Sequence, residues 1–218
     1  FEVNDGEYKV MGMAGYGKPR HVKKIKKLYT QSSDGSIRLH LEYFSFHTSN
    51  SRMYTDAFAQ LFAGFNRFDI AASIQAVAEE IILTMANALY ERTKLPNLVY
   101  GGGVALNSVV NALLLKQTKF RQVFIFPAAG DDGAAVGAAL YVYHHVLGYK
   151  KRYPLTDVFW GIEYSNREVE QFLKDNDIKY QKMSDTLLLE FITEQLKAAK
   201  VIGWFEERSE FGPRALGH

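Results

Sequence analysis

The chain has 218 residues, of which 47% are hydrophobic and 14% aromatic, so it is long and apolar enough to bury a sizeable core. Its formal net charge is only +2, which predicts no binding to nucleic acid and none to membrane surfaces. It contains no cysteine, which excludes disulfides, thiolate metal sites and a cysteine nucleophile. The absence of cysteine fits a cytoplasmic protein, which we expect. No apolar run reaches the roughly 18–20 residues of a membrane span.

The first fifty residues are predicted to be β-rich with one helical insert. Glycines at 12, 15 and 17 lie close together, which indicates a turn or a close approach of two backbone segments. Apolar residues at helical spacing predict a helix over 20–29, with its lysines on a solvated face rather than in a polyanion site. The alternation of apolar and polar residues over 36–44 predicts a strand.

A long helix is predicted from Asp69, as its cap, to about Arg92, because one apolar stripe runs along it. The stripe consists of Ile70, Ile74, Val77, Ile81, Met85 and Leu89. The elements that follow alternate in type: a strand at 97–100, a glycine turn at 101–103, a helix at 104–115, a buried strand at 122–126, a turn at 127–130 and a helix at 132–147. This alternation is typical of a sheet with helices packed on it, so we predict an α/β fold.

A change of composition to Lys, Arg and Tyr over 148–153 predicts a linker between two domains, 1–150 and 151–218. In the second, the pattern predicts a short strand near Val158, helices at 166–175 and 186–199, and a strand at 201–204. We expect this second region to be the truncated start of a domain, and the chain to be a central fragment of a longer polypeptide.

The first candidate site is the turn Gly101-Gly102-Gly103, which is followed by Asn107. Three successive glycines let a flat or anionic ligand approach the backbone, and a helix start offers unpaired N–H groups. Asn107 can donate and accept hydrogen bonds, as recognition of a ribose or a base edge requires. The same pattern also fits a tight strand–helix turn without a ligand, and its spacing differs from that of a dinucleotide-binding fingerprint.

The second candidate is the pair Asp131 and Asp132, again between a strand and a helix. A carboxylate in this position is a suitable ligand for Mg²⁺, Mn²⁺ or Fe²⁺. The alternative is that one aspartate only caps the helix, and the two roles can be divided between the pair.

The third candidate is the segment 208–218, in which Arg208 and Arg214 flank a Gly-Pro turn. The guanidinium fork suits phosphate or carboxylate, although a surface loop held by an Arg–Glu pair has the same composition. The pair His144-His145 has no carboxylate one helical turn away, so a metal site there is not predicted.

Together these segments resemble the O-carbamoyltransferases of the nodulation and antibiotic-tailoring type. The matching stretches occur in the same order along nearly the whole chain: KVMGMAGYGKP, RFDIAASIQAVAEE, GGGVALNSVVN, FPAAGDDGAAVGAAL, FWGIEYS and VIGWFEERSEFGPRALGH.

The resemblance implies an actin-like, RNase H-like lobe of the ASKHA superfamily, followed by the start of a threonylcarbamoyl-AMP synthase-like (YrdC-like) α/β domain. It implies that ATP and carbamoyl phosphate form carbamoyl-adenylate, and that the carbamoyl group then passes to a hydroxyl of a small-molecule acceptor at a bound divalent metal (Fe, Mn or Mg). By the same resemblance the adenylate site comprises Gly101, Gly102, Gly103, Asn107 and Gly12. Asp131 is the expected metal ligand and Asp132 its non-ligand neighbour.

The family's metal site also uses histidines that have no equivalent in this chain, so we expect the fragment to be inactive alone. No general base can be named, and a homodimer is compatible with the pattern. Two other functions stay open: a sugar or acid kinase of the same superfamily, and a non-catalytic nucleotide-binding module.

Overall fold

The computed structural model describes residues 6–206 and 208–215, and over these it has eight α-helices and two two-stranded sheets. This confirms the α/β class; the ASKHA lobe and the YrdC-like domain stay predictions. The chain divides into two compact units, Phe1–Gly137 and Ala138–His218. That division lies upstream of the predicted linker at 148–153, and the domain ranges 1–150 and 151–218 also stay predictions. No helix of the described residues is long and apolar enough to cross a bilayer.

The described part of the first fifty residues is not β-rich, contrary to the sequence prediction. It begins with helix α1 (Glu7–Ala14), and α2 (Val22–Ile25) continues into a 3-10 turn at Lys26–Leu28. Helix formers such as Glu7, Lys9 and Met11 favour α1, and this helix packs against the later, long helix. The predicted insert over 20–29 is confirmed in its orientation, since Ile25 and Leu28 are buried.

A short antiparallel hairpin follows, formed by β1 (Tyr29–Gln31) and β2 (Ile37–Leu39), with Tyr29 opposite Leu39. The strand predicted over 36–44 is therefore shorter, because a 3-10 turn begins at Leu41. Helix α3 (Asp56–Phe62) comes next, and the Thr55 hydroxyl caps it by accepting from the Phe58 N–H.

The long helix α4 spans Arg67–Thr93 and begins before its predicted start. The predicted cap, Asp69, was wrong: the side chain of Asn66 accepts from the Phe68 N–H at 2.8 Å. Asp69 instead accepts from the Lys18 backbone N–H at 2.8 Å. Its carboxylate therefore holds the preceding loop against the first turn of α4.

Gly17 provides the close backbone approach that its sequence predicts. A Cβ on this residue would lie 1.9 Å from the Phe68 carbonyl oxygen, so only glycine allows the loop to lie against α4. Two apolar clusters then form along α4. One contains Ile25, Leu28 and Val77, and the other contains Ala86, Leu98, Leu114 and Phe120. Helix α4 thus connects the hairpin region to the second sheet.

The second sheet pairs β3 (Asn97–Tyr100) with β4 (Gln122–Ile125) in parallel, with Asn97 opposite Gln122. Helix α5 (Ser108–Gln117) connects them and packs on α4. The prediction of a buried β4 was wrong, because Phe124 is 49% exposed in this structure. Val123, on the opposite face of the strand, packs on the second cluster, so only one face of the sheet is covered.

The helix predicted at 132–147 is α6 (Gly133–Tyr141) followed by a π-helical turn at Val142–Val146. In the second unit, α7 (Asn166–Asp175) and α8 (Asp185–Lys197) confirm the two predicted helices. The strands predicted near Val158 and at 201–204 were wrong. Val158 is buried in an irregular segment, where its carbonyl accepts from the Phe211 N–H at 2.7 Å, and Val201 is fully exposed.

Candidate functional site

Two turns meet at one edge of the β3–β4 sheet, because the carboxyl ends of parallel strands lie at the same edge. The Gly102 N–H, after β3, donates to the Ala129 carbonyl, after β4, at 2.8 Å. A Cβ on Gly130 would lie 3.8 Å from the Gly103 Cα. We call residues 101–103 together with 127–132 the glycine corner. The corner brings Gly101, Gly102, Gly103 and Asp131, four of the predicted nucleotide and metal residues, into one region.

The three glycines present bare backbone to open space. Each is exposed, and a Cβ built on any of them would have nothing within 4 Å. Gly102 has φ 101° and ψ 164°, a conformation that is essentially restricted to glycine. Its N–H donates to the Ala129 carbonyl, so this group braces the corner and is already engaged within the protein. Gly101 and Gly103 do not have a positive φ, and a Cβ on either would meet no atom. The geometry of the turn therefore does not require glycine at these two positions.

The helix after the glycines begins later than predicted. A 3-10 turn at Gly103–Leu106 separates them from α5, whose first residue is Ser108. Asn107 caps α5, since its Oδ1 accepts from the Val110 N–H at 3.1 Å. The positive end of α5 thus faces the Asn107 side chain rather than the glycines directly.

Asn107 also forms a reciprocal amide pair with Gln75 of α4. Asn107 Nδ2 donates to Gln75 Oε1 at 2.9 Å, and Gln75 Nε2 donates to Asn107 Oδ1 at 3.3 Å. Both lone pairs of Oδ1 are then used, so Asn107 does not have the accepting capacity that the sequence analysis assigned to it. One Nδ2 hydrogen of Asn107 has no acceptor among the described residues.

Sequence reasoning missed Gln75, which lies 32 residues from its partner. The signal was a long polar side chain within the apolar run 70–78 of α4, where Ala71, Ala72 and Val77 are buried. Its Nε2 also donates to Glu79 Oε1 at 2.9 Å. The Gln75 amide thus has two polar partners, Asn107 and Glu79.

Asp131 and Asp132 lie exposed on the turn that leads into α6. The turn is closed by Gly133 N–H donating to the Gly130 carbonyl at 3.2 Å and by Ala134 N–H donating to the Asp131 carbonyl at 3.0 Å. Neither carboxylate forms a hydrogen bond or an ion pair with any residue that the structure describes. Neither aspartate therefore caps α6 with its side chain, contrary to the alternative given for the pair.

The residues present do not complete a metal centre. Within 6–206 and 208–215 there is no group of three or more His, Asp or Glu side chains that could hold an ion. Two adjacent carboxylates supply at most part of the oxygen set that a hard divalent cation takes. A metal role for Asp131 stays a prediction that needs ligands from elsewhere in the full-length protein, and no reaction step here depends on it.

The remaining predicted residues lie apart from the corner in the sequence. Gly12 is an exposed residue within α1, with open space where a Cβ would be. Arg208, in the second unit, donates from Nε to Glu163 Oε2 at 3.1 Å, as the Arg–Glu alternative anticipates, although with a different glutamate from the nearby Glu210. Arg214 is exposed. Residues 216–218, which end the predicted arginine segment, lie outside the described residues.

Two side chains with buried polar atoms, Tyr100 and Asn111, lie close in sequence to the glycine turn. The Tyr100 hydroxyl, at the end of β3, is buried without a hydrogen-bond partner among the described residues, and burial raises its pKa. Asn111 of α5 donates from Nδ2 to the Ala105 carbonyl at 2.7 Å, and this bond holds the 3-10 turn against α5.

A family model described as "Carbamoyltransferase N-terminus" matches residues 1–140, which include the whole glycine corner. An uncharacterized protein of Synechocystis sp. is 42% identical over 100% of this chain and 38% of its own length. Nodulation protein NolNO of Sinorhizobium fredii is 34% identical over 97% of this chain and 31% of its own. The 3'-hydroxymethylcephem-O-carbamoyltransferase of Streptomyces clavuligerus is 29% identical over 68% of this chain and 27% of its own. The chain thus spans less than two fifths of each relative.

Proposed function

The chain belongs to the carbamoyltransferase family, and from this premise we propose that the full-length protein is an ATP-dependent O-carbamoyltransferase. It would take the carbamoyl group from carbamoyl phosphate through carbamoyl-adenylate to a hydroxyl of a small-molecule acceptor. The observation that carries the proposal is the family match over residues 1–140, because this range contains both turns of the glycine corner. The similarity to a cephem O-carbamoyltransferase supports a hydroxyl acceptor.

The glycine corner is the proposed adenylate site. Gly101 and Gly103 offer backbone that a planar or anionic group can approach without meeting a side chain. Asn107, one 3-10 turn further on, has a single N–H left to donate to an acceptor atom of the nucleoside. In the transfer step the acceptor hydroxyl oxygen attacks the carbamoyl carbon and gives up its proton to solvent, the bond from that carbon to the phosphate oxygen breaks, and AMP leaves. Holding AMP rigidly at the corner favours this step by fixing the leaving group.

Two other functions predict different products. A kinase of the same superfamily would yield ADP, whereas formation of carbamoyl-adenylate releases pyrophosphate. A non-catalytic nucleotide-binding module would bind AMP and turn over nothing.

An exchange assay on the full-length protein separates the three. We expect labelled pyrophosphate to enter ATP only when carbamoyl phosphate is present. ADP formation without exchange would replace the proposal with the kinase, and AMP binding with neither product would replace it with the binding module.

The adjacent aspartates provide a matched pair for the metal prediction. In full-length protein, Asp131→Asn is expected to weaken binding of a divalent metal at least tenfold, on the order of one lost charged ligand. Asp132→Asn should leave it within about twofold. Equal effects of the two substitutions would remove the distinction between ligand and neighbour that the family resemblance draws.

A further inference from the structure

We propose that Gln75 is a positioning residue of the adenylate site, which fixes the side chain of Asn107 so that it presents an N–H donor to the ligand. This inference rests on the proposed function of the glycine corner. It adds a residue outside both turns, on α4, and it states which hydrogen-bonding group Asn107 can offer.

The order of hydrogen bonds gives each amide a single orientation. Glu79 Oε1 accepts a hydrogen bond at 2.9 Å, so the Gln75 atom facing it has to be the Nε2 donor. Gln75 Oε1 then faces Asn107 Nδ2 at 2.9 Å. At the other end the Val110 N–H is a donor, so the Asn107 atom facing it at 3.1 Å has to be Oδ1. A carboxylate and a backbone N–H thus determine the orientation of both amides from opposite ends.

The orientation has a consequence for recognition. Asn107 Oδ1 already accepts two hydrogen bonds, from Val110 and from Gln75, and one Nδ2 hydrogen is given to Gln75. The second Nδ2 hydrogen is the one hydrogen-bonding group of the Asn107 side chain that has no partner among the described residues. Asn107 therefore recognises an acceptor atom of the nucleotide, such as a ribose hydroxyl oxygen, and would reject a donor placed there.

Capping alone does not explain the pair. Asn107 caps α5 through Oδ1 without help from Gln75, and a serine in this position would cap equally well. Both amides are only partly buried, so neither needs the other to avoid an unpaired buried group. The reciprocal pair adds orientation to a cap that is already complete.

The test is a double-mutant cycle on AMP binding, measured by calorimetry with full-length protein. Gln75→Met keeps the length of the side chain and removes its hydrogen bonds. Asn107→Ser keeps the cap and removes the amide. We expect each single variant to weaken AMP binding by about tenfold, the scale of one lost or misdirected hydrogen bond. The double variant should be no weaker than Asn107→Ser, because Gln75 acts through Asn107.

Two further variants separate orientation from packing. Glu79→Gln preserves the shape of the side chain but lets the Gln75 amide turn over, and it should weaken AMP binding by about threefold. A role in packing alone would leave affinity unchanged in that variant. Gln31→Met is the matched control, since Gln31 Nε2 also donates to α4, at the Ile81 carbonyl at 3.1 Å, away from the corner. It should bind AMP like the wild type.

The outcomes distinguish this inference from the proposed function. If Asn107→Ser binds AMP as the wild type does, the corner does not recognise the nucleoside, and both the proposed adenylate site and the positioning role fall, while the transferase function is decided separately by the pyrophosphate exchange. If Asn107→Ser weakens binding but Gln75→Met and Glu79→Gln do not, the site stands and the positioning role is wrong. Additive effects of Gln75→Met and Asn107→Ser would also overturn it. Non-additive losses with a response to Glu79→Gln establish the role.

Discussion

The glycine corner allows backbone strain to be separated from ligand contact by two neighbouring substitutions. Gly102 has φ 101°, which L residues rarely adopt, so Gly102→Ala is expected to destabilise the protein by about 1–3 kcal/mol. In a domain of this size that is a fall of roughly 2–12 °C in the unfolding midpoint. Gly101 has no such φ, and its Cβ would meet nothing within 4 Å. Gly101→Ala should therefore leave stability unchanged or raise it by up to about 1 kcal/mol.

For AMP binding, the informative substitution is Gly101→Ala, which should not destabilise the fold. A methyl group on Gly101 would occupy the surface that the adenylate is proposed to cover, so AMP affinity should fall by at least about tenfold while the fold is intact. Thermal unfolding and AMP calorimetry on full-length Gly101→Ala and Gly102→Ala measure both effects. If Gly101→Ala binds AMP normally, the ligand does not lie on this backbone. If Gly102→Ala is as stable as the wild type, the strain argument is wrong.

Two further predictions concern stability. A Cβ on Gly133 would lie 2.1 Å from the Ala128 carbonyl oxygen, so Gly133→Ala should lower the midpoint of thermal unfolding. Gly137 lies on the same helix with open space around its Cβ position, so Gly137→Ala should raise the midpoint slightly. Equal midpoints for the two variants would contradict the clash at Gly133. Hydrogen bonds from Lys119 and then Lys94 lower the pKa of Glu91 from 4.5 to about 2, so Glu91 contributes stability above pH 4.5 that is lost as pH falls towards 2. The difference in thermal unfolding midpoint between wild type and Glu91→Gln should narrow as the pH falls from 4.5 towards 2, and also in high salt. A difference that stays constant would refute a stabilising role of the Glu91 carboxylate.

Local sequence patterns predicted an element correctly where its own residues determine its structure. Helix α7 was predicted at its observed bounds, and its capping box between Ser165 and Glu168 lies within four consecutive residues. Helix α4 was predicted along most of its length from its apolar periodicity. Its cap was not, because Asn66 and Asp69 are both good capping residues. The Asp69 carboxylate accepts instead from Lys18, far away in the chain, and the sequence does not indicate this contact.

Contacts between residues far apart in the chain could not be predicted, because they depend on how distant segments pack. The stripe predicted on α4 contains Ile74 and Met85, yet these are about two fifths exposed, while the small residue Ala86 is buried. Several elements approach α4 from different sides, so its buried positions do not form one stripe. Gln75 is the clearest case at the site, because nothing local to it indicates that Asn107 is its partner.

The unpaired aspartates make the charge of the ligand a sensitive variable. Asp131 and Asp132 have no ion-pair partner among the described residues, and they share the glycine corner with the proposed adenylate site. A carboxylate about 6 Å from a phosphate would cost on the order of 1–3 kcal/mol, so an anionic nucleotide should bind there only when a cation offsets the repulsion.

Adenosine, which has no phosphate, should not share that requirement. With full-length protein we expect AMP affinity to fall at least about tenfold when divalent cations are chelated, and adenosine affinity to stay the same. Replacing both aspartates by asparagine should abolish the difference, because it removes the charges that oppose the phosphate. If chelation leaves AMP binding unchanged in the wild type, the phosphate does not lie near these carboxylates, and the corner holds at most the nucleoside.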